Sequence, residues 1–341
     1  MSIVTTHVGL DYHDETVRTC VLAEDGKMLF NRDLANDPQI VAFEVMRFGP
    51  PRGVVIEACC GAADFAAKLQ EQTGWRVRLA HPGYVKRLKQ GPDKTDHGDA
   101  WLLADLDRVG YVPVVWLADE TTRQLRRLVC YREGLKKERK NVKLRIRSLL
   151  REERIPAPAA RPWTKAWRDW LRSAELGPES RWVMDRLIDQ FERLQADLRG
   201  VETRMQEATA DDALTQRLLE EKGVGLITAV ALRAEVGRFD RFGTGKQLAR
   251  FCGVTPCNAS SGKRQADAGL IKAGSRELRA LLIETAKRLP RCDPHFKEMK
   301  ERLRRTKPAN VVTCAIANRW LRGLFHRMLT VEGEVNSQTA A

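Results

Sequence analysis

The first 120 residues alternate short apolar runs of strand length with short helical patterns, and this alternation restricts the fold more than any other feature of the chain. Residues 3–11 form a β-rich run that ends in Asp11. Residues 17–23 and 27–34 are two further runs, joined across Asp25-Gly26, a dipeptide typical of tight hairpins. We therefore expect an α/β domain that begins with three antiparallel strands.

The next segment predicts how that sheet is extended. Residues 53–60 (GVVIEACC) have the composition of a buried strand, residues 62–72 follow with helical spacing, and residues 76–80 form another strand-like run. A strand, a helix and a second strand in this order predict a βαβ crossover. Three antiparallel strands followed by crossovers predict a ribonuclease-H-like layout.

The pattern changes to long helices after residue 121. Residues 122–154 contain 13 basic and 4 acidic side chains, one glycine, no proline, and leucines or valines at helical spacing. This segment predicts a long basic helix, which the prolines at 156, 158 and 162 must end. Residues 181–209 carry apolar side chains at intervals of three and four, a pattern compatible with a coiled-coil arm. That apolar stripe either packs within the chain or forms the seam of a dimer.

A glycine-punctuated region follows from about residue 211. Lys222-Gly223-Val224-Gly225 precedes a predicted helix at 226–236, residues 253–274 are rich in loop-forming residues, and 276–288 is again helical. Residues 331–341 are small and polar, so we expect a disordered tail. The fold class expected is α/β plus α: residues 1–120 ribonuclease-H-like, 121–210 a basic helix and coiled-coil arm, 211–330 a mostly helical C-terminal domain.

The charge is distributed unevenly along the chain. The formal net charge is +14, but residues 1–121 carry −5, so the remaining residues carry +19. Cationic charge concentrated over long segments is typical of proteins that bind nucleic acid, because neutralising phosphates releases counterions. No apolar run is long enough to span a membrane, no secretory signal is recognisable, and the eight cysteines show no zinc spacing. We expect a soluble, cytoplasmic protein.

Four acids in the first domain are candidates for metal binding. Asp11 closes the first strand, Glu57 lies in an apolar strand, and Asp96 and Asp99 lie three apart at the start of a predicted helix. A carboxylate in an apolar strand is costly unless it is paired or binds a metal, and hard divalent cations prefer oxygen ligands. Each acid also has a structural interpretation, such as capping or favouring the helix dipole at Asp96 and Asp99. The set of four favours the metal site.

A second candidate site lies at residues 253–264 (GVTPCNASSGKR). Proline, asparagine and glycine predict a turn that exposes a serine, and five cations close to it in sequence can stabilise phosphate charge: Lys263, Arg264, Lys272, Arg276 and Arg279. A serine needs an activating base or metal to act as a nucleophile. Alone, a Ser-Ser-Gly loop is usually a solvated turn. The Lys222-Gly223-Val224-Gly225 segment can present helix-terminal amides to a phosphate or can serve tight packing.

Taken together these motifs resemble a known family. VGLD at Asp11, VVIEA at Glu57, KTDHGDA at Asp96 and Asp99, and the later KGVGLITA, GVTP, SSGK and KAGSRELR resemble the DEDD transposases of the bacterial insertion-sequence family numbered one hundred and ten. The resemblance runs from about residue 3 to residue 290. In the family one serine usually precedes the glycine, whereas Ser260 and Ser261 are adjacent here, and Ala-Cys-Cys-Gly follows the strand glutamate in place of Ala-Thr-Gly.

The resemblance implies an RNA-guided DNA recombinase. It implies a domain like the junction resolvase RuvC, a coiled coil used in assembly, a dimer that assembles to a tetramer, and a structured guide (bridge) RNA that pairs with donor and target DNA. It assigns Mg²⁺ to Asp11, Glu57, Asp96 and Asp99, and a covalent phosphoserine intermediate to Ser261. Two alternatives remain open: a metal-dependent junction endonuclease that uses water, and a catalytically inactive nucleic-acid-binding scaffold.

Overall fold

A computed structural model describes residues 5–88, 96–156, 158–258, 267–271 and 273–339. The chain forms two compact units, Met1–Asp119 and Glu120–Ala341. Among the described residues, no helix is both long and apolar enough to span a membrane.

The first unit is built on a mixed sheet of six strands in the order β3-β2-β1-β4-β5-β6. The first three strands are antiparallel neighbours, β4 and β5 lie parallel to β1, and β6 is antiparallel to β5. The prediction of an α/β domain with three antiparallel strands followed by a parallel crossover is therefore confirmed. The strands are β1 (Thr6–Tyr12), β2 (Thr16–Ala23), β3 (Met28–Ala35), β4 (Pro51–Glu57), β5 (Val77–Ala80) and β6 (Val114–Val115).

Helices cover both faces of this sheet, as the alternation of side chains along a strand requires. On one face Val8, Leu10, Val54 and Ile56 form a buried core with α1, α2 and the end of β5. On the other face Val55 and its neighbours pack against α4. The helices are α1 (Pro38–Met46), α2 (Ala62–Thr73), α3 (Pro82–Leu88) and α4 (Asp96–Arg108).

Helix α4 lies directly on β1 because position 9 is glycine. A Cβ added at Gly9 would lie 2.0 Å from the carbonyl oxygen of Ala100 and 2.4 Å from the amide nitrogen of Ala104. Any side chain at position 9 would therefore push the helix away from the sheet. The glycine determines how closely α4 approaches the strand that carries Asp11.

A buried polar cluster holds the C-terminal half of α4 against the same strands. Asp107 on α4 accepts a hydrogen bond from His7 Nδ1 on β1 at 2.5 Å and pairs with the Arg78 guanidinium on β5. A Cβ on Gly53 of β4 would lie 2.6 Å from the same carboxylate. Burial lowers the pKa of His7. The cluster is consistent with the rule that a buried charge must be paired.

The described residues of the second unit form helices and one pair of short strands. Strands β7 and β8 pair in antiparallel orientation inside the segment for which the sequence suggests only loop. The elements are α5 (Glu120–Glu152), α6 (Lys165–Ser173), α7 (Pro178–Ala208), α8 (Ala213–Leu219), α9 (Leu226–Val236), α10 (Gly245–Phe251), β7 (Pro256–Asn258), β8 (Asp267–Leu270), α11 (Arg276–Cys292), α12 (Pro294–Arg304) and α13 (Ala309–Thr339).

The two longest predicted helices pair within this chain in antiparallel orientation. Arg132 near the middle of α5 bonds Glu202 near the end of α7, whereas Glu153, just after α5, accepts from Ser180 near the start of α7. The apolar stripe of α7 is buried in the core that these helices share with α6 and α9. Of the two interpretations left open by the sequence, the stripe therefore packs within the chain.

The C-terminal segment differs from the sequence-based expectation of a disordered tail at 331–341. Helix α13 continues to Thr339, and the Glu332 side chain is only 4% exposed. Its carboxylate accepts hydrogen bonds at 2.9 Å from the amides of Phe239 and Asp240. These two amides follow α9 and need acceptors when buried, which explains why a polar residue continues the helix.

We predict that Gly9→Ala lowers the free energy of unfolding of the first unit by about 1–3 kcal/mol or more, because the added methyl overpacks the contact with α4. The urea-induced unfolding midpoint measures this. Gly200→Ala in α7 is the control, since nothing lies within 4 Å of its added Cβ; it should be neutral or stabilising. Equal midpoints for Gly9→Ala and wild type would contradict the close packing.

We predict that deleting residues 331–341 exposes the amides of Phe239 and Asp240 to exchange and costs about 1–3 kcal/mol of stability, because two amides, that of Phe239 buried, lose their acceptor. Hydrogen–deuterium exchange of the segment after α9 reports it directly. Deleting only residues 337–341, which leaves Glu332 in place, is the control and should leave exchange unchanged. Equal exchange in the two truncated chains would argue against the role given to Glu332.

Candidate active site

Two of the candidate acids lie side by side at one edge of the sheet. β1 and β4 are parallel, and Leu10 is in register with Ile56, so Asp11 and Glu57 are the next residues on neighbouring strands. Adjacent strands are about 4.8 Å apart. Both acids come at the carboxyl end of their strands, where the chain leaves the sheet and the core no longer covers the side chains. The sheet thus brings together two carboxylates that are 46 positions apart in the sequence.

The third acid, Asp99, is brought to the same end by the direction of α4. Asp107 lies beside His7 near the start of β1, and from Asp107 back to Asp99 the helix rises about 12 Å. From His7 to Asp11 the strand advances about 13 Å. Asp99 is therefore level with Asp11, and it is buried at 8% exposure on the side of α4 that faces the sheet.

The immediate surroundings of Asp11 include a histidine and a thiol. His13 Nε2 lies 3.4 Å from the Asp11 carboxylate, whose side chain is 16% exposed. Partial desolvation raises the pKa of the Cys59 thiol, and the negative charges of Glu57 and Asp11 raise it further. The Cys59 thiol, two residues after Glu57, is thus within the electrostatic field of both carboxylates.

The donor set suits a hard divalent cation, since it consists of carboxylate oxygens at one end of one sheet. In the part of the chain whose side chains are described, no three His, Cys, Asp or Glu residues lie close enough together to hold a metal ion. Asp96 begins α4 three residues before Asp99, and its side chain lies outside that part. The described acids therefore share a location without forming a closed coordination group.

The second candidate site falls mainly outside the described residues. Ser260, Ser261, Lys263, Arg264 and Lys272 all lie there. β7 ends before residues 259–266 and β8 begins after them, and position 272 follows β8.

Two of the five candidate cations are described. Arg276 is exposed in the first turn of α11, where the Ser275 side chain caps the helix by accepting from the Leu278 amide. Arg279 is half-buried, and its Nη1 donates to the carbonyl of Ala273 at 3.3 Å. Arg279 therefore supports the chain just before α11 and has less freedom than Arg276 to reach a phosphate.

The glycine segment before α9 forms a turn, with Gly223 at φ +78°. Arg288 on α11 donates to the carbonyl of Gly223 from Nε and Nη2 at 3.2 and 2.9 Å. The turn opens onto a surface pocket of about 600 Å³ that includes Arg132 and Arg288. These contacts account for the glycine as a packing and turn residue.

Sequence reasoning missed two histidines that contact candidate or neighbouring carboxylates. His13 follows Asp11 by two residues in a turn, so proximity alone could have suggested the contact. His7 and Asp107 are 100 positions apart and come together only through the packing of α4 on the sheet. No local pattern in the sequence indicates that pair.

Comparison with known proteins assigns the chain to a family. Residues 8–154 match the family model of DEDD transposases of the IS110 type. Residues 215–301 match the family described as transposase IS116/IS110/IS902. The first match includes Asp11, Glu57, Asp96 and Asp99, and the second includes Ser260 and Ser261.

Similar proteins match over most of their length. The chain is 32% identical to a probable family 20 transposase of Pseudomonas aeruginosa over 81% of this chain and 83% of that protein. It is 27% identical to the transposase for insertion sequence element IS1328 of Yersinia enterocolitica, over 85% and 86%. It is 26% identical to the transposase for element IS1111A of Coxiella burnetii, over 83% and 78%. The chain therefore belongs to the IS116/IS110/IS902 family of insertion-sequence transposases.

Proposed function

We propose that this transposase cuts and rejoins DNA through a covalent phosphoserine intermediate formed by Ser261, with Mg²⁺ held by Asp11, Glu57, Asp96 and Asp99. The observation that carries the proposal is the arrangement of Asp11 and Glu57 on adjacent strand ends with Asp99 level with them. Such carboxylates are expensive to gather at one place without a cation. We further propose that residues 1–120 are a ribonuclease-H-like (RuvC-like) domain, 121–210 a coiled-coil arm and 211–330 the domain that supplies the serine.

The chemistry conserves phosphoester bonds. The serine hydroxyl attacks a DNA phosphate, a serine–phosphate ester forms, and one strand leaves with a free hydroxyl. A hydroxyl from another strand then displaces the serine and restores a phosphodiester, so rejoining needs no external energy source. Bound Mg²⁺ would stabilise the charge that develops on the phosphate oxygens. The chain's own cations around position 261, including Arg276, would hold the DNA backbone near the hydroxyl.

We also propose how the enzyme assembles and how it selects its DNA sites. The enzyme acts as a homodimer that assembles to a tetramer, and a structured bridge RNA from the mobile element selects donor and target DNA by base pairing. The high positive charge beyond residue 121 supports contact with both nucleic acids. Because the apolar stripe of α7 is used within the chain, the arm would assemble through another surface.

One face of α5 suits a nucleic-acid backbone. At 100° per residue, Lys137, Lys140 and Arg151 lie on the side opposite the buried residues Leu135 and Ile146, and Arg145 lies on the flank of the helix away from Arg132. The four cations are exposed, and none pairs with a carboxylate of a described residue. By contrast, cations such as Arg132 on the flank of α5 are neutralised by α7. We infer that the outer face contacts phosphates.

The role proposed for Ser261 predicts which activities are lost when its hydroxyl is removed. Ser261→Ala should abolish strand rejoining and any protein–DNA adduct that survives denaturation, lowering the rate by more than about a thousandfold as expected for a lost nucleophile. Ser260→Ala is the matched control and should keep both activities. Denaturing gel electrophoresis of a labelled DNA substrate measures the adduct and the rejoined product together.

Substitution of Asp11 distinguishes the proposed recombinase from a junction endonuclease and from an inactive scaffold. Asp11→Asn should abolish both cleavage and adduct formation without lowering the unfolding midpoint. If Ser261→Ala still cuts DNA at the wild-type rate while Asp11→Asn does not, the protein is a metal-dependent junction endonuclease that uses water. If both variants retain transposition, the acids and the serine are structural and the proposal is wrong.

The α5 face predicts a change in salt dependence. A protein with about six to ten phosphate contacts loses about 10³ to 10⁵ in affinity between about 50 and 200 mM salt. Replacing Lys137, Lys140, Arg145 and Arg151 by Gln should reduce the slope of log K against log[salt] by about three to four, since each contact contributes about 0.9. Fluorescence anisotropy with duplex DNA over a salt series measures the slope.

The control uses exposed cations of α7 that already have carboxylate partners. Arg186 pairs with Asp189 at 3.2 Å and Arg204 pairs with Glu207 at 3.2 Å. Their replacement by Gln should leave the salt slope within one unit of the wild-type value. An unchanged slope in the four-site α5 variant would remove this helix from the DNA interface.

A further inference from the structure

An open aromatic pocket lies beside the acid end of the sheet in the first unit. Its volume is about 380 Å³, and it is lined by His81, Tyr84, Tyr111 and Pro113 with their neighbours. Tyr84 is 55% exposed and Tyr111 is 66% exposed. Two large aromatic rings left open at one pocket are not explained by the core, because the cores of this unit are formed by other residues.

Hydrogen bonds hold in place the backbone segments that carry the aromatic rings of the pocket. The His81 amide donates to the Pro113 carbonyl at 2.9 Å, which ties the end of β5 to the segment before β6. His81 Nδ1 accepts from the Gly83 amide at 3.1 Å. The His81 and Tyr84 rings meet edge to face, with centroids 5.0 Å apart. The Tyr111 amide bonds the Leu106 carbonyl at 2.9 Å.

The His81 side of the pocket lies at the same end of the sheet as the candidate acids. Glu57 is in register with Ala80, the last residue of β5, and the Ala58 amide bonds the Ala80 carbonyl at 2.9 Å. His81 therefore leaves the sheet at the same end as Asp11 and Glu57. β5 is two strands away from β1, a lateral distance of about 10 Å. A strand of nucleic acid at the acids would pass within reach of the pocket.

The charge next to the pocket indicates which class of ligand the pocket binds. Arg87 is exposed on α3, and its Cζ lies 5.6 Å from the centre of the Tyr84 ring. No carboxylate is among the residues that line the pocket. Flat aromatic faces next to cations are the combination by which proteins bind single-stranded nucleic acid, with bases stacked on rings and phosphates on the cations.

We propose that Tyr84 and Tyr111 form a stacking site for an unpaired nucleobase, with Arg87 contacting an adjoining phosphate. The ligand is a nucleotide that has left its duplex, in DNA or in RNA, because a paired and stacked base does not expose its flat face. The inference rests on the proposed function in one respect: it takes the polymer that passes the acids to be nucleic acid. The site binds the strand and takes no part in bond breaking.

The test uses the full chain without divalent cations, so that binding is separated from cleavage. The probes are oligothymidylate DNA and oligouridylate RNA of about 16 nucleotides, an upper site size for stacking domains, and a duplex of equal length. Replacing Tyr84 and Tyr111 together by Leu should weaken binding of a single-stranded probe by about five- to a hundredfold and leave duplex binding unchanged, because loss of one stacked base has that effect. The DNA and RNA probes identify which polymer supplies the base.

Two controls separate stacking from structural damage. The double Tyr→Phe variant at 84 and 111 keeps the ring faces and should bind like the wild type. Tyr131→Leu removes a tyrosine that is 57% exposed on α5 and should not change binding. Arg87→Gln should lower the salt slope for single-stranded probes by about 0.7, one phosphate contact, whereas the Leu variants should leave the slope unchanged.

Photo-cross-linking gives a second, independent measure. A probe that carries 5-iodouracil should form adducts on the peptides that contain Tyr84 or Tyr111, and these adducts should disappear in the Leu variant. Adducts only at other sites, together with wild-type affinity of the Leu variant, would overturn the proposal. Because no cleavage is measured, this result is independent of whether Asp11→Asn or Ser261→Ala abolishes recombination.

Discussion

The packing of α4 across β1 is the contact on which the candidate active site depends. Gly9 lets the helix backbone approach the strand, and the Asp107 carboxylate binds His7 and Arg78 at the far end. With that end held, the geometry of a rising helix and an extended strand brings Asp99 level with Asp11. Asp99 therefore owes its position beside Asp11 in part to a polar cluster about 12 Å further along α4.

The two units of this insertion-sequence transposase carry net charges of opposite sign. The first unit holds carboxylates and an excess of negative charge, which a DNA strand tolerates only with cations present. The second unit carries the positive charge. Arg132 of α5 pairs with Glu202 of α7, whereas Lys137, Lys140 and Arg151 on the outer side of α5 have no carboxylate partner among the described residues. The open tyrosines of the first unit form a separate aromatic surface, which we propose binds bases rather than phosphates.

Local patterns predicted most of the elements. The Asp-Gly hairpin, the apolar strand around Glu57, the prolines that follow the basic helix and the helix after Gly225 all match elements of the structure, because each depends on neighbours in sequence. Patterns that depend on distant partners were less informative. The polar composition around Glu332 predicted disorder. In the structure, its carboxylate accepts hydrogen bonds from the amides of Phe239 and Asp240, which are distant in sequence. The short β7–β8 pair depends on partners that are separated by several residues in the sequence.

The sequence by itself determined which side chains are available for chemistry: four acids with strand and helix spacing, a serine pair before a glycine, and a long cationic helix. Tertiary structure decided which of them meet. Parallel pairing placed Glu57 beside Asp11, helix direction placed Asp99 level with them, and the burial of the α7 stripe within the chain excluded it as a free seam. The physical reason is that spacing in sequence determines the face of an element on which a residue lies, whereas only packing determines what that face touches.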